Sequence, residues 1–71
     1  MSTGETVRLS VNISTGTADR FHTLIAAKDI TATEAVRRAI AVWAFCEAEI
    51  AAGNRLAVIE PGGAVRDVEL I

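Results

Sequence analysis

The stretch VRLSVNI, residues 7–13, alternates apolar and polar side chains with a period of two. Val7, Leu9, Val11 and Ile13 fall on one side, and Arg8, Ser10 and Asn12 on the other. This is the pattern of a β-strand with one apolar and one polar face. A lone strand leaves backbone N–H and C=O groups without partners, so it has to pair with something. The residues that follow have helical spacing. The partner is therefore either the β-prone C-terminal part of the chain or the same strand of a second chain, and both stay open at this point. The polar face is itself informative, since it sets a guanidinium fork, a hydroxyl and an amide in one row.

Downstream, the signals are those of two helices and a hairpin. Ser14 is placed to cap the first helix, because its oxygen can accept an orphan backbone N–H. Ala18, Phe21, Leu24 and Ile25 then recur at helical spacing, and the helix is expected to end near Lys28 or Asp29. TATE, Thr31 to Glu34, has the capping-box form, with Thr31 bonding the N–H of Glu34 and the Glu34 carboxylate returning to the N–H of Thr31. A second helix should run from Ala32 to about Ala52. Val36, Ala39, Ile40, Trp43 and Ile50 mark its main apolar stripe, widened by Val42, Phe45 and Cys46. Gly53 is placed to end it in the left-handed conformation. Two short β-prone runs, 55–60 and 64–70, flank Glu60-Pro61-Gly62-Gly63, where proline second and glycine third suit a type II turn.

Length sharpens the problem of burial. A chain of 71 residues is at most one small domain, and a core of that size is marginal without a disulfide, a metal or a second subunit. The single cysteine, Cys46, cannot form an internal disulfide, and no Cys/His cluster suggests zinc. His22 has no second ligand at metal spacing and reads as a helix-surface residue. Half the residues are apolar, too many for a disordered chain. Oligomerisation is therefore the expected source of further burial. The longest apolar run, Ala39 to Cys46, is too short to span a bilayer, and the N-terminus lacks the form of a signal peptide, so a cytoplasmic location is expected. Net charge is −2, which argues against a general polyanion binder. The acidity gathers in the C-terminal part, and the front half is mildly basic. No catalytic set emerges. Ser10, His22 and Asp29 have the right chemistry for one, but nothing brings them together, so the chain is not expected to be an enzyme or to need a cofactor.

A short amphipathic strand, a helix, the tight DITATEA turn and a longer helix resemble the ribbon-helix-helix family of DNA-binding proteins, the Arc and MetJ type, over residues 6 to about 50. VRLSVNIS followed by TATEAVRRAI carries the likeness. Asp29 stands where many members have glycine. The resemblance implies a mostly α fold with short β, an intertwined homodimer whose N-terminal strands form an intermolecular antiparallel two-stranded ribbon. Here it would carry an added C-terminal β-hairpin. The chain then divides into a flexible arm (1–5), a ribbon-helix-helix domain (6–53) and a hairpin extension (54–71).

The resemblance also implies roles. The ribbon would enter the major groove of double-stranded DNA, with Arg8, Ser10 and Asn12 reading base edges. The chemistry agrees, since an arginine fork matches guanine, an asparagine amide matches adenine and serine serves either. Thr31, Ala32 and Thr33, at the start of the second helix, would anchor phosphate, where free N–H groups and the helix dipole favour an anion. Arg37 and Arg38 are further candidates for phosphate contact. Val7, Leu9, Val11, Ile13, Phe21, Ile25, Val36, Ile40 and Trp43 would form the dimer core. The function implied is a sequence-specific transcriptional repressor of bacterial or phage origin, its dimers able to bind side by side on an operator. The alternative is an antitoxin or protein-interaction module whose C-terminal hairpin binds a partner protein. Against that, Leu56, Val58, Val68 and Leu70 need burial, which suits a hairpin that covers the second helix.

Overall fold

The computed structural model describes residues 5–70. Its elements are α1 (Thr15–Lys28), α2 (Ala32–Ala51), β1 (Leu56–Ile59) and β2 (Val65–Val68). The architecture is mostly helical, with one antiparallel two-stranded hairpin. The chain divides between Ile30 and Thr31 into two units, and each has its own local logic.

The first unit holds the N-terminal segment and α1. Ser14 is extended (φ −66°, ψ 158°), and its Oγ accepts from the Thr17 N–H at 3.2 Å. That is the expected N-cap, a bond worth about 0.5–2 kcal/mol. At the other end Asp29 takes the left-handed conformation (φ 52°, ψ 49°). The Ile30 N–H then donates to the Ile25 carbonyl (3.2 Å) and the Asp29 N–H to the Ala26 carbonyl (3.3 Å). This pair of bonds is a Schellman closure, which satisfies two helix-end carbonyls at once. Among the described residues, Asp29 is the sole non-glycine with positive φ. Aspartate is one of the few side chains that tolerates this region.

Residues 5–13 form neither helix nor paired strand. The pattern read at 7–13 is one of alternation, and alternation becomes a strand only when a ladder closes against a neighbour. The hairpin does not provide that neighbour, because its sheet contains β1 and β2 alone. Of the expected arm, residues 1–4 lie outside the described residues.

In the second unit Thr31 caps α2, its Oγ1 accepting from the Glu34 N–H at 3.1 Å. Only that half of the capping box forms; the Glu34 carboxylate is drawn instead to two arginines. The helix ends as expected. Gly53 is left-handed (φ 86°), its N–H donates to the Ile50 carbonyl (3.0 Å), and the Asn54 N–H donates to the Glu49 carbonyl (3.0 Å).

The hairpin pairs Leu56 with Val68, Ala57 with Asp67, Val58 with Arg66 and Ile59 with Val65. The turn differs from the type II expectation. The Gly63 N–H donates to the Glu60 carbonyl at 2.8 Å, but the left-handed residue is Gly63 (φ 94°), not Gly62. The geometry is a turn over Glu60–Gly63 without positive φ at its third position, followed by a left-handed glycine, and the Glu60 N–H bonds to the Ala64 carbonyl (2.8 Å). A three-residue hairpin loop has this form, because it preserves the right-handed twist of the flanking strands. Pro61 suits the second turn position in either geometry.

Candidate nucleic-acid interface

Arg8, Ser10 and Asn12 are exposed, and so are the alternating apolar residues Val7, Leu9, Val11 and Ile13. Phe21 and Ile25 on α1 are half-buried, while Val36, Ile40 and Trp43 on α2 are exposed. Among the described residues no side chain of any kind is fully buried. Trp43 nevertheless has its one polar atom satisfied, because Nε1–H donates to Glu47 Oε2 at 3.0 Å along the same helix. A tryptophan in that state can lose water from its ring faces without stranding a donor.

At the start of α2, Thr31, Ala32 and Thr33 are exposed. The Thr31 side chain is committed to the Glu34 N–H, and the Thr31 carbonyl accepts from Ala35 at 3.0 Å. The N–H groups of Ala32 and Thr33 come before the first intrahelical donor, the Ala35 N–H, and point out of the helix end.

Arg37 and Arg38, one turn on, are not free. Arg37 grips Glu34 with a fork, Nε to Oε1 at 2.9 Å and Nη2 to Oε2 at 2.5 Å. Arg38 Nε also donates to Oε2, at 2.9 Å. The spacing explains the cluster, since residues three and four apart share a helix face. These hydrogen bonds, from Arg37 first and Arg38 second, hold the Glu34 carboxyl well below its ordinary range, at about 2. The ion pair in turn raises Arg37. The three residues together carry one net positive charge rather than two. Sequence reading named both arginines but missed this arrangement; the signal was the i, i+3, i+4 spacing of Glu34 to Arg37 and Arg38.

On the hairpin, Leu56, Val58 and Val68 share one face, and Ile50, Leu56, Val68 and Leu70 line a groove between it and the end of α2. The opposite face carries Ala57, Ile59 and Val65, and Ile59 and Val65 are 73% and 62% exposed. Diagonal ion pairs flank the sheet, Arg55 with Asp67 and Arg66 Nε with Glu60 Oε2 at 2.9 Å. All four side chains face solvent, so the pairs add little stability.

No family model matches the chain, and neither a curated protein nor a solved structure does. No described helix is long and apolar enough to cross a membrane.

Proposed function

We propose that the chain is a homodimeric, sequence-specific DNA-binding protein, a transcriptional repressor of the ribbon-helix-helix kind, working in the cytoplasm without a cofactor. One observation carries the reading. Residues 7–13 alternate strictly, are exposed on both sides, and have no ladder partner among the described residues. A second copy of the same segment satisfies all of this at once. Antiparallel pairing closes the backbone bonds, and Val7, Leu9, Val11 and Ile13 fall together onto a core supplied by Phe21, Ile25, Val36, Ile40 and Trp43 of both chains.

Arg8, Ser10 and Asn12 then line the outer face of a two-stranded ribbon, a shape that the major groove admits. The N–H groups of Ala32 and Thr33 hold a backbone phosphate on either side and set the register of the ribbon; phosphate contacts position while base contacts specify. Repression is steric, by occupying an operator, and neighbouring dimers can extend along it.

The test is a pair of variants measured on a duplex selected from a randomised pool and on a random duplex. Arg8→Ala should weaken the selected duplex by about 1–3 kcal/mol per contact and relax base preference. Thr33→Asp should weaken both duplexes alike, because it sets a negative charge where phosphate sits. If both variants act equally on both duplexes, the division into readers and anchors is wrong.

A second reading rests on the exposed far face of the hairpin. Ile59 and Val65 lie on a strand pair that is already formed, as a docking surface for a protein partner would be. On that reading the chain is an antitoxin-like module.

A further inference from the structure

The arginines of α2 are tied to a carboxylate of their own helix, and this constrains how the chain meets a polyanion. Arg37 commits two nitrogens, Nε and Nη2, to Glu34. Arg38 is held by Nε alone, and among the described residues its terminal nitrogens have no partner. The carboxylate accepts three charge-assisted bonds, the stronger class of hydrogen bond. We infer that Glu34 sets the strength of sequence-independent DNA binding: it holds Arg37 back from DNA phosphate with two hydrogen bonds and leaves Arg38, held by one, as the main arginine contact of α2. This deepens, and rests on, the DNA-binding reading above.

The physical consequence is the same for every sequence. Phosphate attraction acts on every sequence alike and supplies most of non-specific affinity. A glutamate beside the phosphate site subtracts from that shared term. It leaves untouched the base-edge contacts, which belong to Arg8, Ser10 and Asn12. Affinity for selected and random duplexes falls by the same factor, so the preference between them is unchanged. A chain of net charge −2 with few cations depends on base readout more than a basic one does.

The experiment uses the full chain and its Glu34→Gln variant. Glutamine keeps the length and helix preference of glutamate but cannot hold two guanidinium groups. The Thr31 cap is undisturbed, because it uses the Glu34 backbone N–H. Each protein is titrated with a labelled random-sequence duplex between about 50 and 200 mM salt. Glu34→Gln should bind more tightly, and its log–log salt slope should steepen by about 0.9 for each arginine that gains a phosphate. Its ratio of selected to random affinity should stay the same, because a contribution shared by all sequences cancels from it. Arg37→Ala should change little in the wild-type chain and should cancel the gain in the Glu34→Gln background.

A wild-type chain that binds DNA, with a variant of unchanged slope, overturns the role of Glu34 and leaves the DNA-binding reading standing. A large effect of Arg37→Ala in the wild-type chain does the same, since it would show that Arg37 already reaches DNA. Failure of both proteins to bind any duplex overturns the DNA-binding reading and the role of Glu34 together. Glu34→Ala repeats the test without a side-chain amide, and circular dichroism checks that α2 persists.

Discussion

Leu9→Ala is the substitution that most directly probes the second copy. In the isolated chain Val7, Leu9, Val11 and Ile13 are 91%, 68%, 67% and 53% exposed. Full burial of a large aliphatic side chain is worth about 1.5–3 kcal/mol. Scaled by these exposures, covering the four in a dimer contributes about 4–8 kcal/mol per chain. For Leu9 alone, truncation inside a packed core costs about 2–5 kcal/mol. The two-fold counts it twice, so the dimer should lose about 4–10 kcal/mol. Even the lower figure weakens association by roughly a thousandfold. If Leu9 instead stays on the surface, the change should lie within about 0.5 kcal/mol. Ser10→Ala, one residue on and on the other face, is the control and should leave stability within the same about 0.5 kcal/mol. Thermal melts over a dilution series, with sedimentation at the same concentrations, read both quantities, because a dimer's midpoint rises with concentration. A Leu9→Ala protein that melts like the wild type, or a wild-type midpoint that ignores concentration, refutes the pairing of 7–13 across chains.

Three further predictions follow from the local geometry. Gly63→Ala should destabilise the hairpin by about 1–2 kcal/mol, because it forces an L side chain into the left-handed region, whereas Gly62→Ala, with open space around its Cβ and no positive φ, should be neutral or stabilising by up to about 1 kcal/mol; equal effects in urea melts would contradict the turn geometry. The Glu34 carboxyl sits at about 2 when folded against an ordinary 4.5, so its ion pairs stabilise the fold above about pH 4.5 and the contribution fades as pH falls toward 2. The difference in thermal midpoint between wild type and Glu34→Gln should close over that window, and a constant difference would show that the pairs contribute nothing. Truncation after Gly53 removes Leu56, Val58, Val68 and Leu70, which are more than half covered, and should cost about 3–7 kcal/mol before chain entropy is subtracted. A truncated chain that keeps its stability and DNA affinity but loses a protein partner would favour the docking role of the hairpin.

The helix limits were legible in the sequence because their causes are local. Ser14 and Thr31 each bond a backbone N–H three residues on, and α2 ends with the Gly53 N–H on the carbonyl three residues back and the Asn54 N–H on the carbonyl five back. No distant residue enters those decisions. Asp29 adopts the left-handed turn for a local reason too, since its short side chain tolerates what most do not. The hairpin was likewise visible as two β-prone runs around a proline-glycine pair. Other features were settled by competition among several groups, which a reading of single positions does not resolve. Glu34 had a backbone N–H and two guanidinium groups within reach, and the arginines won because two cations attract the carboxylate more strongly than one neutral N–H. Either adjacent glycine could have taken positive φ; the cross-strand register, set by Ile59 opposite Val65, assigned it to Gly63. The same register turned Leu56 and Val68 to one face and left Ile59 and Val65 on the other. Alternation at 7–13 is a property of the sequence. Strand formation there needs a neighbouring backbone, and the described chain pairs its own strands, β1 with β2, elsewhere.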